Sequence, residues 1–251
     1  MRSGLYVRPW VVTYNVGAGE GTVAFINAPP LKAVSTDKTA GEVSPEQALK
    51  NAQRADQRAR KQLRLYVVAN CLTRMWTLTY ADRTVDRRQV VGDVNDWLQR
   101  LREHLGENFP GTYVLEFHPE GHGLHVHVAL QSRFIDWRTM SALWGHGHVQ
   151  YSDGNKAIKR VKGKRAKARE LARYLTKYMS KGWSEGHAGG DHRYEVTQGF
   201  QPGRRRRVFF SYRSAVEWLA SQESAGQPQC VWNSNDQEEW EGPPCWAFVW
   251  Q

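Results

Sequence analysis

Cysteine is scarce in this sequence. Only Cys71, Cys230 and Cys245 occur among 251 residues, and no two of them have C-x-x-C spacing. A disulfide framework is therefore not expected, and a reducing cytoplasm is the expected location. The chain begins with no apolar signal segment and contains no apolar run of about 18 residues, so we expect neither secretion nor membrane insertion.

Acidic residues are outnumbered by basic ones, 25 against 35, which gives a net charge of +10. The excess is concentrated in residues 155–169, with eight basic residues and no acid, and in the run of four arginines at 204–207. Phosphate is the natural partner of such blocks, and 11 Trp and 10 Tyr are available to stack on bases. The alternative is a solvated loop that only keeps the protein soluble. The predicted DNA-binding residues are Lys162, Lys164, Arg165, Arg204, Arg205 and Arg206.

Hydrophobic periodicity predicts an α+β fold, with a central antiparallel sheet flanked by helices. A hydrophobic content of 40% is sufficient for a sizeable core. The first 43 residues are expected to form one or two short strands and a linker. We predict helices at about 45–69, 86–105, 136–144 and 167–181, and strands at 75–80, 111–118, 124–130, 148–151 and 207–212. The predicted division is an N-terminal extension with a basic helix (1–69), a central domain (70–215), and a short helix with an acidic, aromatic tail (216–251).

Histidines are concentrated in the segment HPEGHGLHVHVAL, residues 118–130. His125 and His127 alternate with Leu124, Val126 and Val128, which is the pattern of a half-buried strand. Both imidazoles then project from one face, and the aliphatic side chains enter a core. An H-x-H pair alone is weak evidence for a metal site, because many such histidines are ordinary surface or capping residues.

Strand register supplies a third ligand. If Phe117 faces Leu124 across the hairpin, Glu116 lies opposite His125, and opposed residues point to the same face. A shift by one residue would instead place the Glu116 carboxylate against the core. Glu116, His125 and His127 are therefore predicted to share a polar face, and two imidazoles with one carboxylate suit Mg²⁺ or Mn²⁺.

Other assignments of these residues are open. Glu116 is alternatively an exposed strand carboxylate without a ligand role. His118 shares the same face and is a rival third ligand. His122 lies in the turn, where it is better suited to holding the loop or contacting DNA.

The segment YLTKYMSKG, residues 174–182, supplies two tyrosines. On a helix the spacing i, i+3, i+4, i+7 places four polar side chains on one face, beside an apolar stripe that would dock the helix on the sheet. The alternative is an ordinary amphipathic helix with half-buried tyrosines and solvated lysines. The four polar residues are Tyr174, Lys177, Tyr178 and Lys181, and the stripe is Leu171, Leu175 and Met179.

Three segments together resemble the motifs of rolling-circle replication initiators, the HUH endonucleases: MWTLTY (75–80), GLHVHVAL (123–130) and LTKYMSK (175–181). Their order and spacing over about 70–212 are similar to those of the two-tyrosine branch, found in plasmids, single-stranded DNA phages and some transposases. The resemblance implies a HUH endonuclease domain with a metal held by His125, His127 and a nearby acidic residue, for which Glu116 is suitably placed. It also implies that Tyr178 attacks DNA and that Tyr174 is the second tyrosine.

The implied activity is nicking and strand transfer on single-stranded origin DNA, with a hairpin as the expected form of the origin. It would proceed through a 5′-phosphotyrosine intermediate that starts rolling-circle replication. Lys177 and Lys181 can lower the tyrosine pKa and meet the phosphate. No G-x-x-x-x-G-K-[ST] motif occurs, so a host helicase and polymerase are the expected partners. The basic insertion at 155–169 and the tail depart from the family pattern.

Three alternatives compete with this interpretation. A transposase or a mobilisation relaxase would use the same chemistry. A non-catalytic single-stranded DNA-binding regulator could share the fold, but it would be expected to lack a motif residue, and none is missing. A cupin-type oxygenase also uses H-x-H, yet it requires a Glu shortly after the second histidine, and VALQSRF provides none.

Overall fold

The computed structural model describes residues 9–25, 44–118, 121, 123–132, 134–152, 158, 160–181, 192–223 and 226–250. The expected α+β fold, with antiparallel sheets and helices, is confirmed. In these ranges the helices are α1 (Pro45–Ala69), α2 (Arg87–Leu105), α3 (Trp137–Trp144), α4 (Lys164–Lys181) and α5 (Tyr212–Ala220). The strands are β1 (Trp10–Asn15), β2 (Glu20–Phe25), β3 (Arg74–Leu78), β4 (Gly111–Phe117), β5 (Leu124–Leu130), β6 (Val149–Ser152), β7 (Glu195–Val196), β8 (Arg204–Phe209), β9 (Gln229–Asn233) and β10 (Cys245–Val249).

The chain forms two compact units. One unit combines Met1–Gln53 with Pro202–Gln251, and the other is Arg54–Gln201. The first contains a sheet of order β8-β1-β2-β10-β9, and the second a sheet of order β6-β3-β5-β4-β7. The predicted three-part division therefore has other boundaries than these units. The strand expected at 207–212 begins earlier, at Arg204, and pairs with β1 instead of joining the central sheet.

Helix α2 covers one face of the sheet in the second unit. Asp86 caps its first turn by accepting hydrogen bonds from two backbone amides, and Gly106 ends it in the left-handed conformation. Its apolar stripe is buried against the aliphatic side of β5, which consists of Leu124, Val126 and Val128. Because side chains alternate along a strand, the histidines between these residues lie on the opposite face.

Helix α4 packs against β4. The predicted apolar stripe is confirmed, since Leu171, Leu175 and Met179 are buried. The helix begins at Lys164, three residues earlier than predicted, because Gly163 adopts a left-handed φ of 88° and its carbonyl accepts a hydrogen bond from the Lys167 amide. The basic segment 155–169, for which the helix was predicted to start only at about 167, is thus helical from Lys164 onward. Residues 153–157 and 159 lie outside the described residues.

The first unit has its own core, in which α5 packs on β1 and β2. Gly21 permits this packing, since a Cβ at that position would overlap the Leu219 side chain. Two strands of its sheet, β9 and β10, come from the tail, for which the sequence predicted no structure. Among the helices of the described residues, none combines the length and the apolar character needed to span a membrane.

Candidate functional site

The register of β4 and β5 agrees with the prediction. Glu116 pairs with His125, and Phe117 pairs with Leu124. Strand β3 lies on the other side of β5, where Thr77 pairs with His127. Three neighbouring strands therefore contribute polar side chains to one face of the sheet.

His127 is held from both sides of its ring. Its Nε2 lies 2.8 Å from Oε2 of Glu116, and its Nδ1 lies 3.2 Å from Oγ1 of Thr77. The Glu116 and His127 side chains are 9% and 7% exposed, so their mutual hydrogen bond satisfies polar groups that burial would otherwise leave without water. Glu116 pairs with His125 in the register. Its contact with His127, two residues further along β5, therefore runs diagonally across the strand pair.

His125 has a different neighbour. Its ring centroid lies 4.7 Å from that of His118, with an angle of 43° between the ring planes. The rival third ligand, His118, is thus beside His125, and the Glu116 carboxylate is bonded to His127. His122 lies outside the described residues.

Tyr178 is the helix residue that reaches the histidine strand. Its ring stacks on His127 with centroids 3.8 Å apart and planes 21° from parallel. Tyr174 lies one turn earlier, with its ring edge-on to Tyr178 at 5.0 Å, and the Tyr178 hydroxyl donates a hydrogen bond to the Tyr174 hydroxyl. Tyr178 therefore lies beside a sheet residue, and Tyr174 lies next to Tyr178, as their i, i+4 spacing requires.

The environment of Tyr178 favours the protonated phenol. Burial raises its pKa above the usual value of 10.0, and the hydrogen bond to Tyr174 and the negative charge of Glu116 act in the same direction. Lys177 is exposed on the same helix. Lys181 is the last residue of α4, and its side chain lies outside the described residues. The protein groups around Tyr178 therefore do not by themselves create a phenolate.

Two donor atoms at the site, one from Glu116 and one from His127, are spaced as ligands of a small divalent cation would be. A cation with bonds of about 2.1 Å holds adjacent ligand atoms about 3 Å apart, close to the separation of Glu116 Oε2 and His127 Nε2. With Nε2 on a metal, Nδ1 would carry the proton and donate it to Thr77, the kind of support that metal-bound histidines usually have. Within the described residues, however, no three His, Cys, Asp or Glu side chains converge as ligands. A three-residue site therefore requires a third side chain, His125 or its rival His118, to turn toward the pair.

The predicted DNA-binding residues occupy two separate regions. Lys162 and Lys164 are exposed around the start of α4, and Arg165 is half-buried there. The arginines at 204–206 are exposed on β8 in the other unit, where Arg205 donates a hydrogen bond of 3.1 Å to Gln222. Their role in DNA binding stays a prediction.

Thr77 is a site residue that the sequence did not indicate. It lies in MWTLTY, which was identified as a strand, but nothing in that segment shows which strand it pairs with. The pairing of β3 with β5 places Thr77 beside His127. The available signal was that the Thr77 hydroxyl alternates with apolar residues in the first motif, which indicates a polar face on that strand.

Comparison with known families matches residues 73–183 to the model of the replication-associated protein ORF2 family. The residues described above form what we call the tyrosine–histidine site: Thr77, Glu116, His125, His127, Tyr174 and Tyr178. The matched segment contains all of them. No curated protein and no solved structure matches the chain significantly. The segment that carries the site is thus similar to the replication-associated proteins of this family.

Proposed function

We propose that this protein nicks single-stranded origin DNA and transfers the cut strand, starting rolling-circle replication of a plasmid or phage. The observation that carries the proposal is the stacking of Tyr178 on His127, at 3.8 Å, within the segment similar to replication-associated proteins. A potential nucleophile therefore touches a buried imidazole–carboxylate pair of the kind that can hold a cation.

In the proposed reaction, the Tyr178 hydroxyl oxygen attacks a DNA phosphorus. A bond forms between that oxygen and phosphorus, the bond from phosphorus to the 3′-oxygen breaks, and the 5′ end stays on the tyrosine. The tyrosine proton passes to water, and the departing 3′-oxygen takes up a proton. The phosphotyrosine keeps a reactive ester, so a later 3′-hydroxyl can displace Tyr178 and rejoin DNA without ATP.

The raised pKa of Tyr178 means that the phenol needs nearby positive charge before it can attack. A divalent cation, Mg²⁺ or Mn²⁺, would supply part of that charge and polarise the scissile phosphate when bound. Glu116 and His127 would hold it, together with His125. Lys177 and Lys181 follow Tyr174 and Tyr178 at helical spacing and would meet the phosphate oxygens.

Tyr174 is proposed as the second nucleophile. Its hydroxyl accepts a hydrogen bond from the Tyr178 hydroxyl, so the two oxygens are within hydrogen-bond distance of each other. A phosphate held beside the His127–Glu116 pair is therefore within reach of both in turn. With Tyr178 attached to the 5′ end, Tyr174 would cleave the regenerated origin and release the 3′-hydroxyl that closes the circle.

An adduct assay tests the proposal. The full chain is incubated with Mn²⁺ and single-stranded oligonucleotides that tile the candidate origin, and denaturing gels are examined for protein that migrates with covalently bound DNA. Tyr178→Phe keeps the ring that stacks on His127 but removes the nucleophile, so it is expected to form no adduct at the first cleavage. A wild-type protein that binds the oligonucleotides without cutting any of them would favour the non-catalytic regulator instead.

A further inference from the structure

A cavity of about 340 Å³ lies in the second unit, beside the start of α2, β4 and residues 192–195. Tyr113 and Leu115 of β4 line it, and both belong to the core cluster on the α2 side of the sheet. Glu116 and His127 project from the opposite side, because successive strand residues alternate. The cavity is therefore separate from the tyrosine–histidine site. Its walls are partly apolar and partly basic, with Arg87, Arg88, Arg193 and Tyr194 among the lining residues.

The Tyr113 hydroxyl is a buried polar group in the lining of this cavity. Tyr113 is only 3% exposed, and its hydroxyl has no hydrogen-bond partner within the described ranges. A buried hydroxyl without a partner costs free energy, because it has lost its hydrogen bonds to water. A ligand that enters the cavity and bonds this hydroxyl would recover that free energy.

Three arginines and one glutamate are among the residues that line the cavity. Arg193 forms an ion pair with Asp56, so its charge is already balanced. Glu195 lies 2.8 Å from His192, between its carboxylate oxygen and Nδ1. Arg88 is exposed, and Arg87 donates a hydrogen bond to the His192 carbonyl. The exposed Arg88 guanidinium therefore favours an anion at the mouth of the cavity, and Glu195 offers an acceptor.

We propose that this cavity binds one unpaired nucleotide of single-stranded DNA. The base would pack among the Tyr113 and Tyr194 rings and Leu115, and its phosphate would meet Arg87 and Arg88. An amino group on the base would donate to Glu195, and Tyr113 would donate to a ring nitrogen or carbonyl. The cavity volume lies within the range of about 300–1,000 Å³ that small-ligand sites usually have. This assignment rests on the proposed function in taking DNA as the ligand.

Calorimetric titration with 2′-deoxycytidine 5′-monophosphate tests the pocket without any cleavage chemistry, since it is done in EDTA on the full chain. This nucleotide carries both the amino group and the phosphate that the lining residues would recognise. It is expected to bind at least tenfold more tightly than deoxycytidine, which lacks the phosphate, and than deoxyribose 5-phosphate, which lacks the base. Equal affinity for deoxyribose 5-phosphate would overturn the base-binding role and indicate a simple anion site.

Two variants of the lining residues test whether the nucleotide binds in this cavity. Tyr113→Phe removes only the hydroxyl and is expected to weaken nucleotide binding about fivefold, the effect of roughly 1 kcal/mol. Its melting temperature should not fall, because the lost hydroxyl has no partner among the described residues. Arg88→Ala is expected to weaken binding similarly, whereas Arg100→Ala, an exposed arginine farther along α2, should not. Absent binding, or binding unaffected by both Tyr113→Phe and Arg88→Ala, would overturn the proposal.

Different experiments reject the two proposals. The cleavage proposal is wrong if the wild-type protein forms no DNA adduct on Tyr178. The nucleotide-binding proposal is wrong if the titration shows no such binding, whatever the adduct assay shows.

Discussion

The imidazole of His127 lies between the ring of Tyr178, stacked on its face at 3.8 Å, and the carboxylate of Glu116, 2.8 Å from its Nε2. Strand β5 supplies the histidine, and helix α4 supplies the tyrosine. The contact joins two sequence motifs that are individually ambiguous, since either could be an ordinary element of a core. Their proximity is the structural reason for proposing a tyrosine nucleophile beside a cation.

The first prediction distinguishes the two possible third ligands. Glu116→Gln keeps the shape of the side chain but removes its charge, so Mn²⁺ affinity measured by calorimetry should fall at least tenfold. His118→Ala should change it less than threefold, because the ring of His118 lies against that of His125, whereas the carboxylate bonded to His127 is that of Glu116. The reverse order of effects would make His118 the ligand and Glu116 a hydrogen-bond partner only.

The second prediction concerns the two tyrosines. Tyr174→Phe should still form the first DNA adduct, because the Tyr178 hydroxyl remains, but it should fail to release closed circles over successive rounds. The measurement is the yield of closed single-stranded circles from a substrate with two origins. Release at the wild-type rate would show that Tyr174 only packs beside Tyr178, and that the enzyme uses one tyrosine.

A third prediction tests the basic segment at the start of α4. Replacing Lys162, Lys164 and Arg165 with Gln should weaken single-stranded DNA binding and flatten its salt dependence. Each lost phosphate contact lowers the slope of log affinity against log salt by about 0.7 for a single strand. Anisotropy titrations at several salt concentrations measure the slope. An unchanged slope would show that these residues do not touch DNA.

A fourth prediction concerns the packing that positions α4. Leu175 is fully buried in the stripe of this helix, so Leu175→Ala should reduce the free energy of unfolding of its unit by about 2–5 kcal/mol. Arg173→Ala is the matched control on the same helix. Its side chain is 72% exposed in an ion pair with Glu170, so the expected loss is below about 1 kcal/mol. Chemical denaturation measures both, and equal losses would contradict this packing.

The sequence predicted helix α1 and much of the second unit because their patterns are local. Helix α1 runs from Pro45 to Ala69 as expected, since a serine cap, a proline at the first position and a glutamine two residues later define its start. The register of β4 and β5 could also be predicted from the sequence. A shift by one residue would turn the polar side chains of one strand toward the core, which excludes that pairing. The positions of Glu116, His125 and His127 on one face followed directly.

The parts that the sequence did not predict depend on contacts between distant segments. The sheet of the first unit joins β1 to β8 and β2 to β10, and nothing local in the acidic tail indicates such pairing. Thr77 was missed for the same reason. The diagonal contact of Glu116 with His127, and of His118 with His125, depends on side-chain conformations that strand alternation does not determine.

The central claim is that Tyr178 becomes covalently linked to DNA, and peptide mapping measures this most directly. Adducts formed with Mn²⁺ and a cleavable origin oligonucleotide are digested with nuclease and protease, and mass spectrometry locates the residue that carries the nucleotide. The account predicts a 5′-phosphotyrosyl nucleotide on Tyr178 after one round of cleavage. A nucleotide on another residue, or a cut oligonucleotide with no protein attached, would contradict it.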